Sequence, residues 1–121
     1  LIHVIGSCGG GRDKARQPIM GKLAGQNADV VIVTNEDPYD DDIMDIIDNV
    51  ASGAIEAGKI EDQSLFKIES RSQAIARAIG LAQINDIVLI TGKGAEQFIC
   101  GSNGQMIAHD DRQVAREVLI K

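Results

Sequence analysis

Three short apolar runs each lead into a loop whose residue types can do chemistry. Leu1–Ile5 runs into Gly6-Ser7-Cys8-Gly9-Gly10-Gly11-Arg12-Asp13-Lys14, Val30–Val33 into Thr34-Asn35-Glu36-Asp37-Pro38-Tyr39, and Ile87–Ile90 into Thr91-Gly92-Lys93-Gly94-Ala95-Glu96. The first loop joins glycines, whose backbone amides are accessible, to the cations Arg12, Lys14 and Arg16, a combination suited to an anion. The second is acidic. If the runs are parallel strands of one sheet, all three loops fall at its carboxyl edge, where open α/β sheets bind ligands.

The first loop does not complete a known nucleotide fingerprint. Gly6 and Gly11 have the glycine spacing of a P-loop, but Arg12-Asp13 follow where the lysine and the magnesium-binding hydroxyl belong. The dinucleotide fingerprint also fails on the order of Gly6, Gly9, Gly10 and Gly11, although Glu36 sits where a ribose-binding acid would. A tight strand-to-helix turn would by itself account for the glycines. Asp40, Asp41 and Asp42 precede an apolar stripe of Ile43, Ile46, Ile47, Val50 and Ala54, so the dipole of a helix start explains them without a metal.

The elements that must hold these loops alternate between strand and helix. Pro18 suits a helix's first turn, with Ile19, Met20, Leu23 and Ala24 as its apolar stripe. Leu65–Ile68 reads as a short strand, and Ser70 or Ser72 caps a helix carrying Ile75, Ala78, Ile79 and Ala82. Phe98–Cys100 and Met106–Ala108 flank the turn signal Ser102-Asn103-Gly104, which predicts a hairpin with an antiparallel strand at the sheet edge. Asp110 or Asp111 caps a last helix through Val114, Ala115, Val118 and Leu119. The expected fold is α/β: a Rossmann-like three-layer sandwich, with a mostly parallel sheet of about six strands and helices on both faces.

Composition narrows the partners. The 121 residues fit one domain, and with 2 Phe, 1 Tyr and no Trp the core must be built from Ile, Val, Leu and Ala. No aromatic platform for single-stranded nucleic acid is present. The formal net charge of -6 opposes binding to nucleic acid or an anionic membrane. Cys8 and Cys100 lack CxxC or His-paired spacing, which points to reduced thiols in a cytoplasmic protein. No signal peptide is evident, and the apolar runs are too short to span a bilayer. The chain starts directly in a strand at Leu1, as expected of a piece of a longer protein.

In chain order, Cys8-Gly9-Gly10-Gly11-Arg12-Asp13-Lys14, Pro18-Ile19-Met20-Gly21, Ala28-Asp29-Val30-Val31-Ile32-Val33-Thr34, Asp37-Pro38, Gly92-Lys93-Gly94-x-Glu96 and His109-Asp110-Asp111-Arg112-x-Val114-Ala115-Arg116 resemble the C-terminal domain of the Mur ligases, nearest the MurE type. The resemblance implies that residues 1–121 are one domain of an ATP-dependent amide-bond ligase of cell-wall synthesis, acting in the cytoplasm. Such enzymes phosphorylate the carboxylate of UDP-N-acetylmuramoyl-L-alanyl-D-glutamate, and a diamino acid (diaminopimelate, lysine or ornithine) then attacks the acyl phosphate. ATP and Mg2+ would be bound mainly by a central domain, the chain's partners would be that domain and an N-terminal one, and the piece alone would be inactive.

Carried over by position, Arg12 matches the arginine that contacts the incoming amino acid's carboxylate, and Asp13 and Lys14 match a pair beside the nucleotide phosphates. Gly92 and Glu96 match positions at the far end of the diamino acid, and Glu36, Asp37, Pro38 and Tyr39 occupy the Asp-Asn-Pro-Arg position of diaminopimelate-adding enzymes. Tyr39 replaces the arginine that grips the distal carboxylate, and a phenol supplies neither that charge nor its fork geometry. The acidic Glu36, Asp37, Asp40 and Asp41 suit the ammonium of lysine or ornithine better. Ala95 stands where a histidine is usual. The alternative is a stand-alone nucleotide-binding or regulatory Rossmann-like module, which no P-loop domain need accompany.

Overall fold

The structure, a computed structural model, describes residues 1–7, 9, 14–93 and 98–120. Strand β1 (Ile2–Ile5) is flanked in parallel by β2 (Val30–Thr34) and β4 (Val88–Ile90), with β3 (Leu65–Ile68) beyond β2. Ile2 therefore lies opposite both Val30 and Val88. The order β3-β2-β1-β4 brings the loops after β1, β2 and β4 side by side, as the sequence led us to expect.

Each crossover carries a helix: α1 (Arg16–Asn27), α2 (Ile43–Glu56) and α3 (Arg71–Leu81). Alternation along the strands divides the core. Ile5, Val31, Val33 and Leu65 pack under Ala24 of α1 and Ile47, Val50, Ala51 and Ala54 of α2. Ile2, Val4 and Ile32 face Ala74 and Ala78 of α3 on the other side. Helix α4 (Asp111–Ile120) packs against α3, completing the third layer. Among the described residues no helix is long and apolar enough to cross a membrane.

The helix starts follow the expected caps. Asp42 accepts hydrogen bonds from the amides of Met44 (2.8 Å) and Asp45 (3.2 Å), so it fills the capping role read for the acidic triplet. Ser70 accepts from Gln73 N, and Asp110 from Arg112 N.

Two expectations are corrected. The apolar stripe assigned to α1 coincides only in part with its buried face: Ala24 is buried and Met20 packs on the core, but Ile19 and Leu23 are 59% and 55% exposed, whereas Gln17, Gly21 and Gly25 are buried. The reason is a glycine-mediated helix crossing. A Cβ on Gly21 would lie 1.7 Å from the Val50 carbonyl oxygen, and one on Gly53 would lie 1.8 Å from that of Pro18, so backbone meets backbone and the small residues must face inward. Second, the six strands do not form one sheet. Four make the parallel sheet, and among the described residues β5 (Phe98–Cys100) pairs only with β6 (Met106–Ala108), in a separate antiparallel hairpin. Cys100 at the end of β5 uses its amide on the Asp37 carboxylate and its carbonyl on the Tyr39 amide, so the hairpin is bound to the loop after β2. Strand β4 is left as a sheet edge, with Leu89 41% exposed.

Gly21→Ala should destabilise the domain by about 1–3 kcal/mol or more, because the crossing has no room for a methyl group. Gly80→Ala, on α3 with nothing near its missing Cβ, should instead stabilise by up to about 1 kcal/mol. Urea unfolding midpoints of the two variants test the contrast.

Candidate functional site

The three carboxyl-edge loops converge on the segment after β2. From the first loop, the Gly9 amide donates to the Asp37 carbonyl at 2.8 Å. From the third, Gly92 has φ +103°, a conformation that favours glycine, and a Cβ there would sit 2.0 Å from Glu36 Oε1. Glu36 itself is buried, 8% exposed. Tyr39 holds the left-handed backbone conformation (φ +54°), and its amide donates to Cys100 O at 3.1 Å. Beside it opens a cavity of about 460 Å³, bounded by Tyr39, Asp41, Asp42, Glu69, Ile99 and Ile107 among others, with no Lys, Arg or His among the described residues that line it.

Asp37 faces inward. Lys93 Nζ donates to both of its carboxylate oxygens, at 2.8 and 2.9 Å, and Cys100 N donates to Oδ1 at 2.8 Å. The side chains of Lys93 and Asp37 are only 1% and 11% exposed. Desolvation of two charges is sustained by this two-oxygen contact and the extra amide. Asp37 thus lies with the expected site residues but spends its carboxylate on the protein, not on the open face.

Beneath the loops, Arg71 at the start of α3 is fully buried in its side chain. Its guanidinium makes a two-pronged pair with Asp111 (Nε to Oδ1 and Nη2 to Oδ2, each 2.8 Å) and donates to the carbonyls of Asn35 (3.1 Å) and Thr91 (2.8 Å). The fork geometry of arginine is what allows one side chain to reach the ends of β2, β4 and the start of α4 at once. His109 Nε2 also meets the Asp111 carboxylate. Burial opposes ionisation of Asp111, but hydrogen bonds from Arg71 and His109 outweigh it and hold its pKa below the ordinary value. His3, half-buried on β1 with Nε2 2.9 Å from Thr91 Oγ1, has its pKa lowered by burial.

Of the residues assigned from sequence, Glu36, Asp37, Tyr39 and Gly92 are brought together, while Arg12, Asp13 and Glu96 lie outside the described residues. Lys14 stands apart, exposed ahead of α1 and lining a cavity of about 270 Å³ with Asp40, Asp41, Asp42 and Asp45. Four carboxylates around one lysine repel a polyphosphate, so the described residues do not by themselves fit ATP. No group of three or more His, Cys, Asp or Glu among them could hold a metal ion. Sequence reading missed Arg71, which is a lone charge at a helix start with no motif around it. Lys93 lay inside a recognised motif but carried no assigned role, and its burial was the missing signal.

A parallel sheet with three loops gathered at its carboxyl edge, helices on both faces and a hairpin docked on those loops defines an α/β domain. A family model described as "Mur ligase, glutamate ligase domain" matches residues 1–94. The chain belongs to the Mur ligase family. It is 45% identical over 121 residues to a UDP-N-acetylmuramoyl-L-alanyl-D-glutamate--2,6-diaminopimelate ligase of Nitrosomonas europaea, covering 98% of this chain and 21% of that protein. The ligase of the same name from Chlorobium phaeobacteroides is 39% identical over 119 residues, covering 98% of this chain and 22% of the relative. A solved structure of a ligase with this name superposes with a TM-score of 0.84 at 32% identity, covering 98% of this chain and 23% of that one. The chain thus spans about a fifth of the length of the curated relatives it matches.

Arg71→Met leaves Asp111 buried without its partner and should cost about 3–5 kcal/mol. Arg71→Met combined with Asp111→Leu should cost less than the single change, measured by urea unfolding. The pH dependence has a definite sign. His3 and Asp111 both have folded pKa values below the ordinary 6.5 and 3.8, so the unfolded chain takes up protons first. Stability should hold above those values and fall in two steps as the pH drops, below about 6.5 for His3 and below about 3.8 for Asp111. His3→Asn should flatten the upper step alone.

Proposed function

We propose that this chain is the C-terminal, amino-acid-recognising domain of an ATP-dependent UDP-N-acetylmuramoyl-tripeptide synthetase, working in the cytoplasm with N-terminal and central domains of the same protein. The observation that carries this reading is the meeting of Glu36, Tyr39 and Gly92 at the carboxyl edge, in a chain whose family makes amide bonds. In that family ATP with Mg2+ activates the D-glutamyl carboxylate as an acyl phosphate, and the amine of the incoming diamino acid displaces phosphate. This domain's own part is to bind and orient the diamino acid. Arg12 grips its α-carboxylate through a two-pronged contact, while Glu36 and Glu96 face the ammonium at its far end. Asp13 and Lys14 match the family's phosphate-side pair, and because Asp40, Asp41, Asp42 and Asp45 surround Lys14, the cations that offset the phosphates come with the central domain.

The charge of the described residues that line the cavity beside Tyr39, acidic with no cation among them, bears on specificity. The named relatives add diaminopimelate, whose distal carboxylate needs a positive partner. Here Asp41, Asp42 and Glu69 border the cavity, so a far end bearing only an ammonium, as in lysine or ornithine, is favoured on charge.

In the whole ligase, Arg12→Ala should lower kcat/KM for the diamino acid by about 1.5–3 kcal/mol, the worth of a hydrogen bond to a charged group, with the KM for UDP-N-acetylmuramoyl-dipeptide little changed. Tyr39→Arg should move the preference toward diaminopimelate. Competition between lysine and diaminopimelate decides the second point: a wild type that strongly prefers diaminopimelate, with a ratio unmoved by Tyr39→Arg, would rule out this loop as the reader of the side chain.

A further inference from the structure

Among the described residues, Asp37 bonds to both of the other carboxyl-edge loops and to β5. Its carbonyl receives the Gly9 amide of the first loop, and its carboxylate receives Lys93 of the third loop together with the Cys100 amide of β5. Two residues on, Tyr39 is tied to Cys100 O. One residue back, Glu36 lies against Gly92, the immediate neighbour of Lys93. The charged contact is sealed, with the Lys93 side chain 1% exposed. Such a pair can neither touch an incoming substrate nor be replaced by solvent. It sets distances between the segments that do touch it.

We infer that Asp37 and Lys93 form a positioning pair that fixes the Glu36–Tyr39 segment against Gly92 and the glycine loop, and thereby sets the affinity of the domain for the diamino acid. The inference rests on the functional reading above. In that reading the amino acid spans from Arg12 in the first loop to Glu36 and Glu96 in the second and third, so its two ends are read by loops that share no strand. Contacts between loops, beside the Arg71 bonds at their base, hold that span. A carboxylate clamped at both oxygens restrains rotation of the loop as well as translation, which a single hydrogen bond would not. Misplacement of a binding group by about 1 Å is enough to cost up to about 100-fold in a reaction that depends on orientation.

The test uses the whole ligase. Asp37→Leu keeps the approximate volume but removes the charge and both acceptors opposite Lys93. Asp37→Leu combined with Lys93→Met removes both charges, so it keeps the test open if the single variant leaves Lys93 buried, unpaired and unfolding. Steady-state kinetics with lysine and with diaminopimelate are read beside thermal midpoints. The expected result is a diamino-acid KM raised about 10- to 100-fold, with the KM for UDP-N-acetylmuramoyl-dipeptide within about twofold and the thermal midpoint of the double variant near that of wild type. A purely structural pair would lower the midpoint and leave the KM of the folded fraction unchanged. A folded variant with an unaltered diamino-acid KM therefore overturns the inference alone. Absence of any diamino-acid ligation by the wild-type ligase overturns the functional reading, and this inference with it.

Discussion

The carboxyl edge of this domain depends on one buried guanidinium. Arg71 is held by Asp111 on one side and by the Asn35 and Thr91 carbonyls on the other, so the ends of β2 and β4 and the start of α4 share a single centre of charge. A buried cation is tolerable only when its donors are nearly all matched, and here four contacts match them. The requirement works in both directions. The loops must come to Arg71 to keep it satisfied, and once there they are fixed relative to α3 and the sheet.

Above that centre lies a second ion pair, Lys93 with Asp37, closer to the open edge. The two pairs share no residue, but they bear on the same two loops: Asn35 and Thr91 meet Arg71, and two residues further along each loop Asp37 and Lys93 meet each other. The loops are in this way pinned at successive depths. Tyr39 and the exposed Gly92, with Glu36 buried against it, are carried on a frame held at both levels. That is the arrangement a binding site needs if its side chains are to be placed before a ligand arrives.

The elements of the fold were largely readable because their signals are local. Caps at Asp42, Ser70 and Asp110, the hairpin turn at 102–104, and the period of Ile46, Ile47, Val50 and Ala54 each depend on residues within one or two turns of chain. The buried face of α1 was read correctly at Met20 and Ala24 but not at Ile19 and Leu23, because hydrophobicity alone does not select it. Gly21, Gly25 and Gly53 let two helix backbones touch, and the benefit of that contact is invisible without the partner helix. The separate hairpin was misread for a similar reason, since only the folded chain shows that Cys100 bonds to the loop after β2 in place of a strand.

The sequence by itself determined the strand and helix order, the parallel sheet and the placing of three chemically distinct loops at its carboxyl edge, because these follow from periodicity and short-range stereochemistry. It also carried the family pattern, spread over motifs that keep their order along the chain. The tertiary structure decided what each charge does. An aspartate and a lysine 56 residues apart, or an arginine and an aspartate 40 apart, leave no mark on each other's local sequence. Their pairing arises only when the sheet brings the loops together and excludes water, and burial then turns exposed-looking charges into fixed contacts between them.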